Sequence, residues 1–133
     1  MTLYMLDTSA VSAALKGNRA LDRRLESLPA RAWCISAITR SELRYGLARR
    51  PAATRLAIVV DAFLATARTA AWDAKAADAH GRLRALLAVD GRRIGDFDEM
   101  IAAHALSLDA TLVTDNVRHF HRVPGLSSKN WVR

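Results

Sequence analysis

The 133-residue chain is 51% hydrophobic and 25% charged, a balance that suits one globular domain with a real core, spanning residues 1–133, and excludes a disordered or fibrous chain. No apolar run approaches the roughly 18–20 residues that cross a bilayer, and the start MTLYMLDTSAV has no basic n-region, so neither a membrane span nor a secretory signal is expected and the expected location is cytoplasmic. The net charge is +7, and every basic residue except Lys16, Lys75 and Lys129 is arginine; its planar fork suits phosphate oxygens, so a polyanionic partner competes with plain solvated faces as the explanation.

In chain order, Leu3-Tyr4-Met5-Leu6 reads as a buried strand. Asp7 and Thr8 open a helix running to Lys16, with Gly17 closing it. A second helix fits 19–28, with Leu21, Leu25 and Leu28 on one face, and Pro29 ends it. Trp33-Cys34-Ile35-Ser36 is the next strand, and its single cysteine is best placed as a small buried hydrophobe. Thr39 to Glu42 has capping-box spacing and predicts a helix to about Ala48. Pro51 suits the first turn of a helix reaching about Thr66. Ala70-Ala71-Trp72 predicts a short strand, and Asp73 then caps an alanine-rich helix that ends near Val89, before Gly91.

The run Asp96-Phe97-Asp98-Glu99 starts another helix, with Asp96 as cap and Glu99 as its reciprocal partner. Its apolar side is Phe97, Met100, Ile101, His104 and Leu108, which makes His104 a core histidine. Thr111-Leu112-Val113 is a β-branched strand broken at Thr114-Asp115-Asn116. His119 and His121 flank Phe120 in a basic turn and read as surface or as phosphate contacts. The tail from Pro124 is loop-like, with Trp131-Val132 as a last short strand. Strands separated by helical stretches predict an α/β three-layer sandwich with a mostly parallel central sheet flanked by helices. Ligands of such sheets bind beyond the carboxyl ends of the strands.

Four acids, Asp7, Glu42, Asp98 and Asp115, sit at the ends of hydrophobic segments. Clustered carboxylates repel, by roughly 4 kcal/mol for a pair about 4 Å apart at an effective dielectric of 20. A hard divalent cation is the natural reason to gather them. Each also has a plain structural alternative. Asp7 suits a helix cap, Glu42 a capping box, Asp98 the helix dipole, and Asp115 an Asx-turn.

Leu6-Asp7-Thr8-Ser9, Ser41-Glu42-Leu43, the block Ile94-Gly95-x-x-Asp98-x-x-Ile101-Ala102-Ala103-His104-Ala105, Leu112-Val113-Thr114-x-Asn116 and the ending Val123-Pro124-Gly125-Leu126…Trp131 resemble the PIN domain, and more closely the VapC toxins of bacterial type II toxin–antitoxin systems. The likeness spans essentially the whole chain, and the Gly-x-x-Asp-x-x-Ile-Ala-Ala block is its most specific part. It implies an endoribonuclease dependent on Mg²⁺ or Mn²⁺, with Asp7 and Asp98 as metal ligands and Glu42 completing an acidic triad. The fourth polar group would be Asp115 or Asn116. Thr8, Ser9, Thr114 and Asn116 are candidates for water or phosphate contacts. Two positions depart from the family pattern. Asp96 stands where proline is frequent, and Asn130 precedes Trp131 where an acid is common. The implied partners are a VapB-type antitoxin, RNA (transfer RNA among structured RNAs), and a second copy of the chain in a homodimer. The helices at 37–48 and 52–66 are candidates for either protein interface, or for core.

Two other classes compete with this reading. An aspartate phosphotransfer protein also places an acid after its first strand. The phosphatase version wants a second acid where Ser9 stands, and a receiver wants adjacent acids and a late lysine. A non-catalytic nucleic-acid-binding module explains the charge but leaves the acids as caps, and no helix-turn-helix or aromatic RNA-reading signature accompanies it.

Overall fold

The computed structural model describes residues 1–133. Its centre is a five-stranded sheet of β1 (Tyr4–Leu6), β2 (Trp33–Ser36), β3 (Thr69–Ala70), β4 (Thr111–Val113) and β5 (Ser128–Lys129). The spatial order is β3-β2-β1-β4-β5, and all four pairings are parallel. Alternation along the strands divides the apolar side chains between the two faces. Met5, Cys34 and Leu112 stand in register on one face, and Leu6, Ile35 and Val113 on the other.

The helices are α1 (Thr8–Leu15), α2 (Arg19–Glu26), α3 (Ala37–Ala48), α4 (Thr54–Thr66), α5 (Ala74–Val89), α6 (Asp96–Ser107) and α7 (Val117–Phe120). Leu83, Leu87, Ile101 and Ala102 of α5 and α6 cover the first face. Val11, Leu21, Leu43, Val60 and Leu64, from α1 to α4, cover the second. The result is the expected three-layer sandwich.

The chain runs outward from β1 through β2 to β3, then returns to the far side of β1 as β4. The strand order therefore reverses between β1 and β4, the switch point at which sheets of this kind form their ligand crevice beyond the carboxyl ends of the strands. Asp7 directly follows β1 and Thr114 directly follows β4, with the Asp7 N–H donating to the Val113 carbonyl at 2.9 Å. No helix is long and apolar enough to cross a membrane.

Several local expectations are corrected. The capping box at Thr39 does not form, because Ser36 caps α3 by accepting from the Ile38 N–H at 3.0 Å. Thr39 and Glu42 therefore lie inside the helix. Pro51 is in the turn before α4, not in its first turn. β3 lies at Thr69–Ala70, a step earlier than read. Asp96 does not cap α6; Gly95 does, at φ +108°, a conformation that side chains rarely tolerate. Phe97 is 58% exposed and Leu108 lies beyond the helix, half open to solvent. The inward place in that first turn belongs to Glu99. The last strand is Ser128–Lys129, and Trp131 fills the core against Tyr4 instead.

Candidate active site

The crevice is furnished from three segments. Asp7 is 3% exposed. Its Oδ1 accepts from the Ala10 N–H at 2.9 Å and from the Ser9 hydroxyl at 2.6 Å, while Oδ2 accepts from the Thr114 hydroxyl at 2.6 Å. Asp7 is thus the cap of α1 and a site carboxylate at once, and Oδ2 keeps a free lone pair. Glu42, half-buried on α3, accepts from the Thr8 hydroxyl at 2.6 Å through Oε1, which leaves Oε2 uncommitted. Thr8 also donates towards the buried Thr39 hydroxyl at 3.3 Å. Asp98, half-buried on the first turn of α6, meets His119 Nε2 through Oδ2 at 3.0 Å and leaves Oδ1 uncommitted.

These three acids share an electrostatic field. Burial pushes Asp7 above its ordinary value; the Ser9, Thr114 and Ala10 donors oppose that, and the Asp98 charge adds to it. Burial also raises Glu42, against the Thr8 hydrogen bond and with the charges of Asp98 and Asp7. No arginine or lysine pairs with any of the three. In a chain of net charge +7, that lack of a cation is the main electrostatic fact about the crevice.

The donors suit a hard divalent ion, which takes oxygen ligands and needs only one or two direct carboxylates because it keeps much of its water. The three carboxylates are not drawn into a tight cage, and no three acidic, histidine or cysteine side chains close on one point.

Asp115 stands apart. It is exposed, with its carboxylate near Asn130 Nδ2 at 3.4 Å and Arg133 Nε at 3.6 Å, and its N–H donates to Ser9 Oγ at 3.0 Å. Asn116 caps α7 through its side chain and donates its N–H to Thr114 Oγ1 at 3.0 Å. The hydroxyls of Thr8, Ser9 and Thr114 are engaged with the acids.

Sequence reading missed two features. His119, read as surface or a phosphate contact, reaches Asp98, and the contact spans 21 residues through a loop, so no spacing announces it. Glu99, read as a capping partner, is buried and clasped by Arg93 and the Ile94 N–H. His104 is the expected core histidine: Nδ1 meets Ser36 Oγ at 2.7 Å, burial lowers its pKa, and Nε2 has no partner.

Beside Glu42 and Thr8, a groove of about 350 Å³ runs between α1, α3 and α4. Leu15, Leu43, Leu47, Leu56 and Val60 line it, and Lys16, Arg49 and Arg50 contribute positive charge.

Comparison with known proteins agrees with this picture. The PIN domain family model matches residues 4–126. A Shigella flexneri protein named tRNA(fMet)-specific endonuclease VapC is 38% identical over 131 residues, 98% of this chain and 99% of its own. The Haemophilus influenzae ribonuclease VapC2 is 37% identical over 137 residues, 99% of this chain and 100% of its own. In the crystal structure of DNA-bound VapBC from Salmonella typhimurium, one chain matches with a TM-score of 0.92 at 36% identity, covering 98% of this chain and 99% of that one. A second match is VapBC-5 of Mycobacterium tuberculosis, a member of the VapBC family of toxin–antitoxin systems, with a TM-score of 0.72 at 27% identity and 98% of both chains covered.

Proposed function

The chain belongs to the PIN domain family, and from that premise we propose that it is a VapC-type endoribonuclease, the toxin of a type II toxin–antitoxin pair, dependent on Mg²⁺ or Mn²⁺. The observation that carries the metal reading is the group Asp7, Glu42 and Asp98, three carboxylates that no arginine or lysine pairs with in an otherwise basic protein. Asp7 and Asp98 are the residues that would hold the ion, with Glu42 beside them. When bound, such an ion supplies Lewis acidity to a phosphate oxygen and makes a water molecule more acidic.

The rest is the work of the chain itself. Ser9, Thr114 and the Ala10 N–H fix the Asp7 carboxylate at the end of β1. Thr8 turns one oxygen of Glu42 aside and leaves the other to accept a proton from, or orient, the attacking water. The surrounding arginines supply phosphate contacts that are largely indifferent to sequence. Structured RNA is the substrate class, with transfer RNA favoured because two similar proteins carry that specificity in their names.

The apolar groove that ends at Glu42 suits a helix of a VapB-type antitoxin, placed so that a basic side chain of the partner reaches the acids. Tyr45, Ile58 and Val59 are exposed and lie outside that groove. They offer an apolar face for a second copy of the chain. We place the protein in the cytoplasm, where RNA is available. The test is RNA cleavage with added Mg²⁺ by the wild type, Asp7→Asn and Asp98→Asn. Wild-type cleavage with little or none in the variants is the expected result, and full activity in both variants ends the proposal.

A further inference from the structure

The three site carboxylates are held by different means. Asp7 has two hydroxyls and a helix N–H, and Glu42 has one hydroxyl. Asp98 has neither, and it is about two-fifths exposed. Its one partner is an imidazole. His119 Nε2 lies 3.0 Å from Asp98 Oδ2 and 3.0 Å from the Ile94 carbonyl. A carbonyl can only accept, so Nε2 carries a hydrogen that is shared between the two oxygens.

His119 is itself fixed. Asn116 Oδ1 caps α7 by accepting from the His119 N–H at 3.4 Å, and the imidazole meets the Phe120 ring edge-on with centroids 5.3 Å apart. Phe120 is 1% exposed and anchors the turn in the core. Arg122 adds a second tie to the segment before α6, donating to the Arg93 carbonyl at 3.2 Å. At its other end the same stretch begins with Thr114, whose hydroxyl holds Asp7 and accepts from the Asn116 N–H. Residues 114–119 thus hold one acid that follows β1 and one from α6.

We propose that His119 is a positioning residue that orients Asp98 for the divalent ion, and that residues 114–119 act as a clasp setting Asp98 relative to Asp7. This rests on the reading of Asp7 and Asp98 as metal ligands and says how one of them is aimed. A carboxylate on a free first turn samples several rotamers. A shared N–H from a fixed ring removes most of them before the ion arrives. Partners that orient a ligand in this way are commonly worth about 10–100-fold in metal affinity.

The experiment is Mn²⁺ binding, followed by electron paramagnetic resonance, for the wild type, His119→Leu, His119→Gln, Asp98→Asn and the variant that combines His119→Leu with Asp98→Asn. Thermal unfolding of each is measured in EDTA. Leucine keeps the apolar contact with Phe120 and deletes the donor, whereas the glutamine amide places an N–H near the position of Nε2. The expected result is an affinity loss of about 10-fold for His119→Leu, recovery in His119→Gln, and no further loss from His119→Leu once Asp98 is replaced. If His119→Leu does not fold, His119→Asn takes its place, because its shorter amide stops short of Asp98.

Wild-type affinity in the donor-deleted variant overturns the inference alone. So does an equal loss from His119→Leu with Asp98 intact and with Asp98 replaced, which marks a merely structural role. Absence of Mn²⁺ binding by the wild-type chain overturns this inference and the metal reading together.

Discussion

Asp98 and Glu99 are neighbours on α6, yet their carboxylates live in opposite surroundings. Glu99 is fully buried and accepts from Arg93 Nε at 3.0 Å, Arg93 Nη2 at 2.8 Å and the Ile94 N–H at 2.9 Å. Arg93 also pairs with Asp96. Burial is the strongest single influence on Glu99 and raises it, but Arg93 and the Ile94 amide more than offset that, and its pKa ends below the ordinary value. Across the crevice, Asp7 and Glu42 are raised, with Asp98 adding to both. One group of acids is neutralised from within the chain and the other is left short of positive charge. A carboxylate supplied with its own arginine is part of the scaffold, while the set left without one is the group that the proposed metal role concerns.

The largest expected effect tests the uncompensated group. Asp7→Asn or Asp98→Asn should lower Mg²⁺-dependent RNA cleavage by at least about 100-fold, since even residues that only support a ligand cost 10–100-fold. The fold should survive. Asparagine caps α1 about as well as aspartate, and removing a buried charge relieves its neighbours. A melting temperature equal to or above that of the wild type, beside lost activity, is the signature. A large fall in stability would place Asp7 with Glu99 as a structural acid.

The paired group should respond the other way. Glu99→Ala strips the buried Ile94 N–H of its acceptor, which costs about 2 kcal/mol, or roughly 6 °C in melting temperature for a chain of this size. Denaturant unfolding reads it. Metal affinity of the folded fraction should be retained. The acid limb of stability sharpens the same contrast. A carboxyl whose folded pKa is lowered contributes stability that is complete above its unfolded value, near 4.5, and lost as pH falls through the folded value. In EDTA, wild-type stability should therefore drop below about pH 4.5, and Glu99→Gln should flatten that part of the curve. An unchanged slope in the variant counts against the pairing.

Added Mg²⁺ should stabilise the wild type in proportion to occupancy, by about 1.4 kcal/mol at ten times its dissociation constant. Thermal scans with and without EDTA measure it. The shift at a fixed Mg²⁺ concentration should be much smaller in Asp7→Asn and Asp98→Asn, which bind the ion more weakly, but persist in Glu99→Gln if that variant is fully folded. A shift that survives in all three would mean that the ion sits elsewhere.

Much of this contrast is legible in the sequence, and the limits are physical. Leu3–Leu6, Trp33–Ile35 and Thr111–Val113 declare strands because both faces are covered and every position is apolar or β-branched. The acid after the first strand is legible because a strand must end where its hydrophobic run ends. Which acid is neutralised is not, because Arg93 reaches Glu99 through an irregular segment that carries no period. Glu42 looks like half of a capping box only because Thr39 stands three residues earlier, whereas Ser36, at the end of β2, starts the helix sooner. Trp131 looks like strand because it is large and apolar, but a ring that fills a core needs no ladder.

The smallest expected effect concerns Asp115, which sequence alone leaves level with Asn116 as the fourth polar group. Its carboxylate faces Asn130 and Arg133 at the surface, and it does not figure among the charges that raise Asp7 or Glu42. An exposed pair of this kind is worth little, since water screens it and both side chains lose freedom in making it. What holds Asp115 near the crevice is its backbone, because its N–H donates to the Ser9 hydroxyl that in turn donates to Asp7. Asp115→Asn keeps that N–H, so stability should stay within about 0.5 kcal/mol of wild type and Mn²⁺ affinity should hardly move. Asp115→Pro deletes the N–H and should disturb Asp7 through Ser9. A large loss of affinity in the asparagine variant would restore the Asp115 carboxylate to the metal-facing group and widen the uncompensated cluster from three acids to four.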